Sequence, residues 1–196
     1  MQTWQNHFST YLDNVMDYGH SHMLSVLQKL KFEERPSQDH IKALMPPEWS
    51  VIFTEQDYTF TDILGLLATK TIYFRPEFEF QFMMGIMSLI QIPEIAAFLH
   101  ELGLQKEVSP YNTRRRVMLY AQIIEYGLIV EDDEMKAIGL VLLNDRKKLE
   151  NVFNNQIINT LTQETIEHTV LSREGPNFHI YIDNFLQPLE LCQKLP

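Results

Sequence analysis

Seven histidines, one cysteine and a run of four carboxylates are the side chains of this 196-residue chain best suited to chemistry. His20 and His22 lie closest together, but a spacing of two places them on different faces of a helix. Helical zinc sites use a spacing of four. His7, His40, His100, His168 and His179 are scattered singly, and the last two face each other only if the C-terminal segments pair as a hairpin. Cys192 is alone, so neither an internal disulfide nor a cysteine-based zinc site can form. Asp133, Glu134 and Lys136 imitate a nuclease Asp…Glu-x-Lys triplet. They sit on an acidic turn, however, where the ordinary reading is a solvated loop tip. The chain has no G-x-S-x-G, GxGxxG, P-loop or H-E-x-x-H motif. These residues predict no catalytic group, no bound metal and no cofactor, hence a protein that is not an enzyme.

Bulk properties narrow the function further. A formal net charge of −10 repels nucleic acid over most of a surface this size and suits basic protein segments. Hydrophobic residues make up 45% of the chain, enough for a substantial core. A lone cysteine, no basic stretch ahead of an apolar run at the N-terminus and no apolar run of spanning length together predict a reduced, cytoplasmic protein without membrane insertion.

The elements that must position these groups follow from periodicity. Thr3 caps a first helix whose apolar stripe runs from Trp4 to Leu30, with Gly19 a kink or break. Residues 33–47, with three prolines, read as a connection. WSVIFTE and KTIYF are strand-like, and between them residues 59–68 form a short helix capped by Thr59 or Thr61. PEFEFQFMMGIMSLIQ reads as a buried helix starting at Pro76, with a hairpin across Arg75-Pro76 as the alternative. Met83, Met84 and Met87 within it are either core filling or the lining of an adaptable binding groove. Asn144 caps a further helix with Leu149, Val152, Phe153, Ile157 and Leu161 on one face, and a hairpin formed by residues 165–171 and 178–182 follows.

The most ordered signal is residues 93–144. PEIAAFLHELGL is a helix that Gly103 stops. Ser109-Pro110 opens a second helix, which buries Val117, Tyr120, Ala121 and Ile124 and ends at Gly127. Two strand-like runs then flank EDDEMK. Helix, turn, helix, two-stranded wing and helix is the order of the winged-helix domain, and PEIAAFLHELGL, NTRRRVMLYAQIIEYGLI and LLNDRKKLENVF resemble its MarR-like members. The resemblance implies a recognition helix with Tyr111, Asn112, Thr113, Arg114 and Arg115 reaching bases and phosphates, and residues 131–136 in the role of the wing. Three features favour protein contact over DNA. The loop before Asn112 is long, the wing tip is four carboxylates, and residues 104–150 balance 8 basic against 8 acidic side chains.

The sequence thus predicts a helix-rich α+β fold with a winged-helix-like central unit and short β-hairpins. Its segments are an N-terminal helix (1–35), a small α/β segment (48–92), the winged-helix-like unit (93–162) and a C-terminal hairpin and tail (163–196), packed as one compact domain. The predicted function is a non-enzymatic adaptor, chaperone-like factor or subunit of a multiprotein assembly such as a secretion complex. Glu131, Asp132, Asp133 and Glu134 would attract a basic partner, and Met83, Met84 and Met87 would supply apolar contact. The alternative is a dimeric winged-helix DNA-binding regulator.

Overall fold

Local signals set where the elements begin. The structure is a computed structural model that describes residues 4–30, 34–75, 79–105, 110–155, 157–171 and 178–194. Helices α1 (Trp4–Tyr18) and α2 (Ser21–Leu30) are separate, broken at Gly19, where a Cβ would lie 2.7 Å from the Val15 carbonyl oxygen. Ser37 caps α3 (Gln38–Leu44). Strand β1 (Ser50–Phe53) leads to α4 (Phe60–Ala68), which opens on a capping box. The Asp62 amide donates to the Thr59 hydroxyl at 3.2 Å, and the Thr59 amide donates to the Asp62 carboxylate at 2.8 Å. Strand β2 (Thr71–Phe74) follows, then α5 (Glu79–Ile90) and α6 (Pro93–Leu104), with a bend of 103° between these two helices. The start expected at Pro76 lies outside the described residues.

Helix α7 (Pro110–Tyr120) runs into a π-helical turn over Ala121–Glu125. Strands β3 (Leu128–Glu131) and β4 (Glu134–Ala137) form the expected hairpin. Asp132 and Asp133 adopt φ of 52° and 65°, the left-handed pair that a two-residue hairpin turn requires. The chain ends with α8 (Leu140–Leu143), α9 (Arg146–Asn155), β5 (Ile157–Thr160), α10 (Gln163–Leu171), β6 (Phe178–Ile182) and α11 (Gln187–Lys194). Two units are parallel crossovers: β1–α4–β2 and β5–α10–β6. The second joins the hairpin edgewise, because β3 pairs in parallel with β6, giving a mixed four-stranded sheet of order β4-β3-β6-β5.

A continuous hydrophobic cluster draws on nearly every element, with α5 at its centre. Residues 83–90 are all buried. Gly85 lets α8 touch α5, since a Cβ there would lie 2.2 Å from Leu140 Cβ. Gly103 is inside α6 and does not stop it. It is small because α4 crosses there, with the Ala68 amide nitrogen 2.3 Å from where a Cβ would sit.

The winged-helix reading fails on packing. Its wing strand β3 is an inner strand of a larger sheet, paired on both edges. Helix α6 packs on α4 and α11, while the would-be recognition helix α7 packs on α10. The second hairpin is also absent: residues 163–171 are helical, and β6 pairs with β5 and β3. The segment 157–160, expected to continue a helix, is strand β5. The π turn explains a phase error in the expected buried face. It widens the helix by one residue, so Gln122 and Ile123 turn inward while Ala121 is only half-buried; Val117, ahead of the turn, is half-buried as well.

Gly103→Ala is expected to lower unfolding free energy by about 2–3 kcal/mol, because backbone has to move. Gly65→Ala, on an exposed face with nothing within 4 Å of the new Cβ, should raise it by up to about 1 kcal/mol. Chemical denaturation of both variants checks the pair.

Candidate functional site

A cleft of about 520 Å³ opens between α6, α11 and the chain leading into β1. Each wall has a local cause. Pro46 and Pro47 turn the chain, the Trp49 amide donates to the Pro46 carbonyl at 2.8 Å, and the indole is thereby tucked against the core. Helix α6 presents Ala96 and Ala97, small enough to leave space, and one turn on it presents His100 and Glu101. Lys70 comes from the end of α4. It occupies the position after the C-cap Thr69, with its amide bonded to the Leu67 carbonyl at 3.0 Å and φ at 53°. Glycine is the usual residue there, and a side chain in this left-handed conformation costs about 1–2 kcal/mol.

Charges converge on this cleft. The Lys70 ammonium donates to the Glu48 carboxylate. That hydrogen bond, followed by the lysine charge and a smaller contribution from His100, holds the Glu48 carboxyl below its usual range. The Glu101 charge also reaches the buried Cys192 thiol on α11, which is pushed up to about 12, first by burial and then by Glu101. The result is an open recess of mixed lining that carries one cation, two carboxylates and an imidazole.

A second centre lies inside the π turn. Such turns are rare and concentrate at functional positions. Glu125 is half-buried, and burial alone raises its carboxyl above the ordinary value. Tyr120 is buried beside it, its phenol pushed up first by burial and then by the Glu125 and Tyr73 charges. Phe60 stacks edge-on against Tyr120 at 5.8 Å, and Tyr58 meets Tyr73 at 4.9 Å. Ile86 closes the space between Tyr73 and Tyr120, leaving about 10 Å³, roughly the room for one water.

The residues singled out from sequence lie elsewhere. Met83, Met84 and Met87 are buried at 2%, 0% and 0% exposure, so they line the core and no open groove. Asp132, Asp133 and Glu134 are exposed at the hairpin tip, but Glu131 is committed. It accepts from the Ser21 amide at 3.0 Å and from the Ser21 hydroxyl, and lies 3.4 Å from His20 Nε2. Tyr111 and Arg114 are exposed and Asn112 and Thr113 half-buried. Arg115 is buried, paired with Glu167 at 3.3 Å and stacked over the Tyr111 ring at 5.4 Å. Arg116 is also buried, donating to the Gln105 carbonyl at 2.8 Å. A basic strip for phosphates is therefore not formed along this helix. His168 and His179 stand on α10 and β6, not across a hairpin.

Sequence reasoning missed Lys70, Glu48, Trp49, His100 and Glu101, which are far apart in the chain. It left Glu125 out of the buried face of its helix. A lone acid inside the apolar run QIIEYGLIV was the available signal.

Because its folded-state carboxyl titrates above the unfolded one, Glu125 keeps a proton that the unfolded chain releases, and stability falls as pH rises through that window. Glu125→Gln is therefore expected to raise Tm at pH 7–8, with the gain vanishing below the ordinary carboxylate range. Thermal melts across pH check this.

No protein-family model matches the chain, and no curated protein matches it in sequence. Solved structures match its fold. The chain superposes on phenylalanine hydroxylase of Chromobacterium violaceum with bound oxidized Fe(III) at TM-score 0.79 and 16% identity, covering 97% of this chain and 80% of that one. The apo cold-active phenylalanine hydroxylase of Colwellia psychrerythraea 34H gives 0.83 and 15%, covering 98% and 82%. That of Legionella pneumophila gives 0.79 and 16%, covering 98% and 89%. At such identities the likeness is one of fold. It overturns the winged-helix assignment, the non-enzymatic adaptor, chaperone-like or assembly-subunit reading, and the DNA-binding regulator: the architecture is α+β with a mixed sheet, and it is that of phenylalanine hydroxylases, an enzyme fold.

Proposed function

We propose that the protein acts on an aromatic amino acid, taken up as a zwitterion in the cleft between α6, α11 and β1. The observation that carries this reading is the pairing of opposite charges around a recess of ligand size that also presents apolar side chains. Lys70 is bonded to Glu48, whose side chain is 73% exposed. An exposed pair of this kind contributes little, so Lys70 can exchange Glu48 for a ligand carboxylate at small cost. Glu101 suits the ligand ammonium, and His100 beside it is a group able to take and return a proton. Trp49, Ala96 and Leu189 offer the apolar contact a ring needs. The fold shared with phenylalanine hydroxylases supports the substrate class.

Titration calorimetry with L-phenylalanine, 3-phenylpropionate and phenethylamine tests this, each analogue lacking one of the two charges. Both analogues are expected to bind about tenfold or more weakly than the amino acid, the effect of losing one charge-assisted contact. Lys70→Gly should separate stability from binding. It relieves the left-handed side chain, so Tm rises, while affinity for L-phenylalanine falls about tenfold. Absence of any heat with L-phenylalanine at millimolar concentration would sink the reading.

A further inference from the structure

One solved structure of this fold holds Fe(III), so the donors of this chain decide whether it does the same. Non-haem iron is characteristically held by two imidazoles and a carboxylate on one face of the metal. Among the described residues no three His, Cys, Asp or Glu side chains come together so as to hold a metal ion. The nearest approach is His20, His22 and Glu131. Most of their atoms are already engaged: Glu131 accepts from the Ser21 amide and hydroxyl, and the His22 backbone amide donates to His20 Nδ1 at 3.0 Å, while His22 Nε2 is buried without a hydrogen-bond partner but is not joined by two further ligands. Both rings lie edge-on against Phe185, at 4.9 and 6.2 Å.

The interior carboxyl fares no better. No histidine occurs between His40 and His100, or between His100 and His168, so neither α5 nor the helix bearing Glu125 has an imidazole to give. The buried face of α5 offers Met83, Met84, Ile86 and Met87. Thioether sulfur is a soft ligand that suits copper(I) better than iron held by oxygen and nitrogen. His179, on the neighbouring β6, is shifted down by burial alone, with no carboxylate contributing.

We infer that the described residues of this chain form no iron site, and that Glu125 stands half-buried as a lone acid beside Tyr120 where a metal-binding protein would gather further ligands.

The test uses the full chain, loaded anaerobically with Fe(II), desalted and assayed for iron, with Co(II) titrated in parallel and followed by its visible absorption. The expected result is iron well below one per chain, no Co(II) ligand-field bands and an unchanged Tm with either ion. About one iron per chain, or Co(II) bands saturating at one equivalent, would overturn the inference. Loss of that metal in Glu125→Gln, or in a His20→Ala/His22→Ala double variant, would then say where it had bound. L-Phenylalanine binding is measured on the same preparation. Binding without iron supports both readings, an iron-free protein that binds nothing removes the cleft proposal alone, and an iron-loaded protein removes this inference alone.

Discussion

Residues 83–90 of helix α5 are buried on every side, and the rest of the structure is arranged around that fact. They are almost wholly shielded from solvent, so α2, α6, α8 and β2 must each supply an apolar face to the helix. A helix in that position cannot carry a polar group without a partner for it. Ser88 obeys the rule by bonding back to the Met84 carbonyl at 2.8 Å. Gly85 sets how closely α8 can approach, and the closeness of α8 in turn fixes where α1 lies, since the Asn14 amide donates to the Leu143 carbonyl at 2.9 Å. The sheet is then held at a set distance by α7 and its π turn. Methionine, with its adaptable shape, fills the gaps that so many converging elements leave.

What could be read in the sequence was what depends on near neighbours. The break at Gly19, the Thr59–Asp62 box, the hairpin at Asp132-Asp133 and the helix opening at Pro93 are written within a few residues of where they act. The β5–α10–β6 crossover was not legible. TIEHTVL is β-branched enough to pass for a strand, and only the Thr162–Thr165 hydrogen bonds at its start, with the Thr165 amide donating to the Thr162 hydroxyl at 3.1 Å, mark it as a helix. Parallel pairing of β6 with β3 leaves no local trace, because the partners are some fifty residues apart in the chain.

The winged-helix resemblance failed for an instructive reason. Helix, helix, hairpin, helix is an order of elements, and many packings share it. The decisive facts were which face each helix buries and what lies beyond the outer strand. Arg115 and Arg116 look like a phosphate-binding run in sequence, yet they are buried and tie α7 to α10 and to the end of α6. Three consecutive arginines cannot share one face at 100° per residue, so two of them had to turn toward the protein once α10 packed there. The cleft was invisible for the complementary reason: Glu48, Lys70 and His100 come from three elements and meet only after α4 and α6 cross at Gly103.

The separation of fold from chemistry follows from α5. The forces that hold it are dispersion and the exclusion of water, which methionine and isoleucine supply at least as well as histidine does. Such packing does not depend on particular polar side chains, so the architecture can persist at 14–16% identity. Glu125 differs from the apolar residues of α5. A carboxyl kept half-buried above its ordinary protonation range costs stability at neutral pH, and packing alone gives no reason to keep it. Lys70, strained at the rim of the cleft, is a second residue of that kind. Where this fold retains side chains at an energetic cost, they are the ones able to exchange a proton or a charged partner.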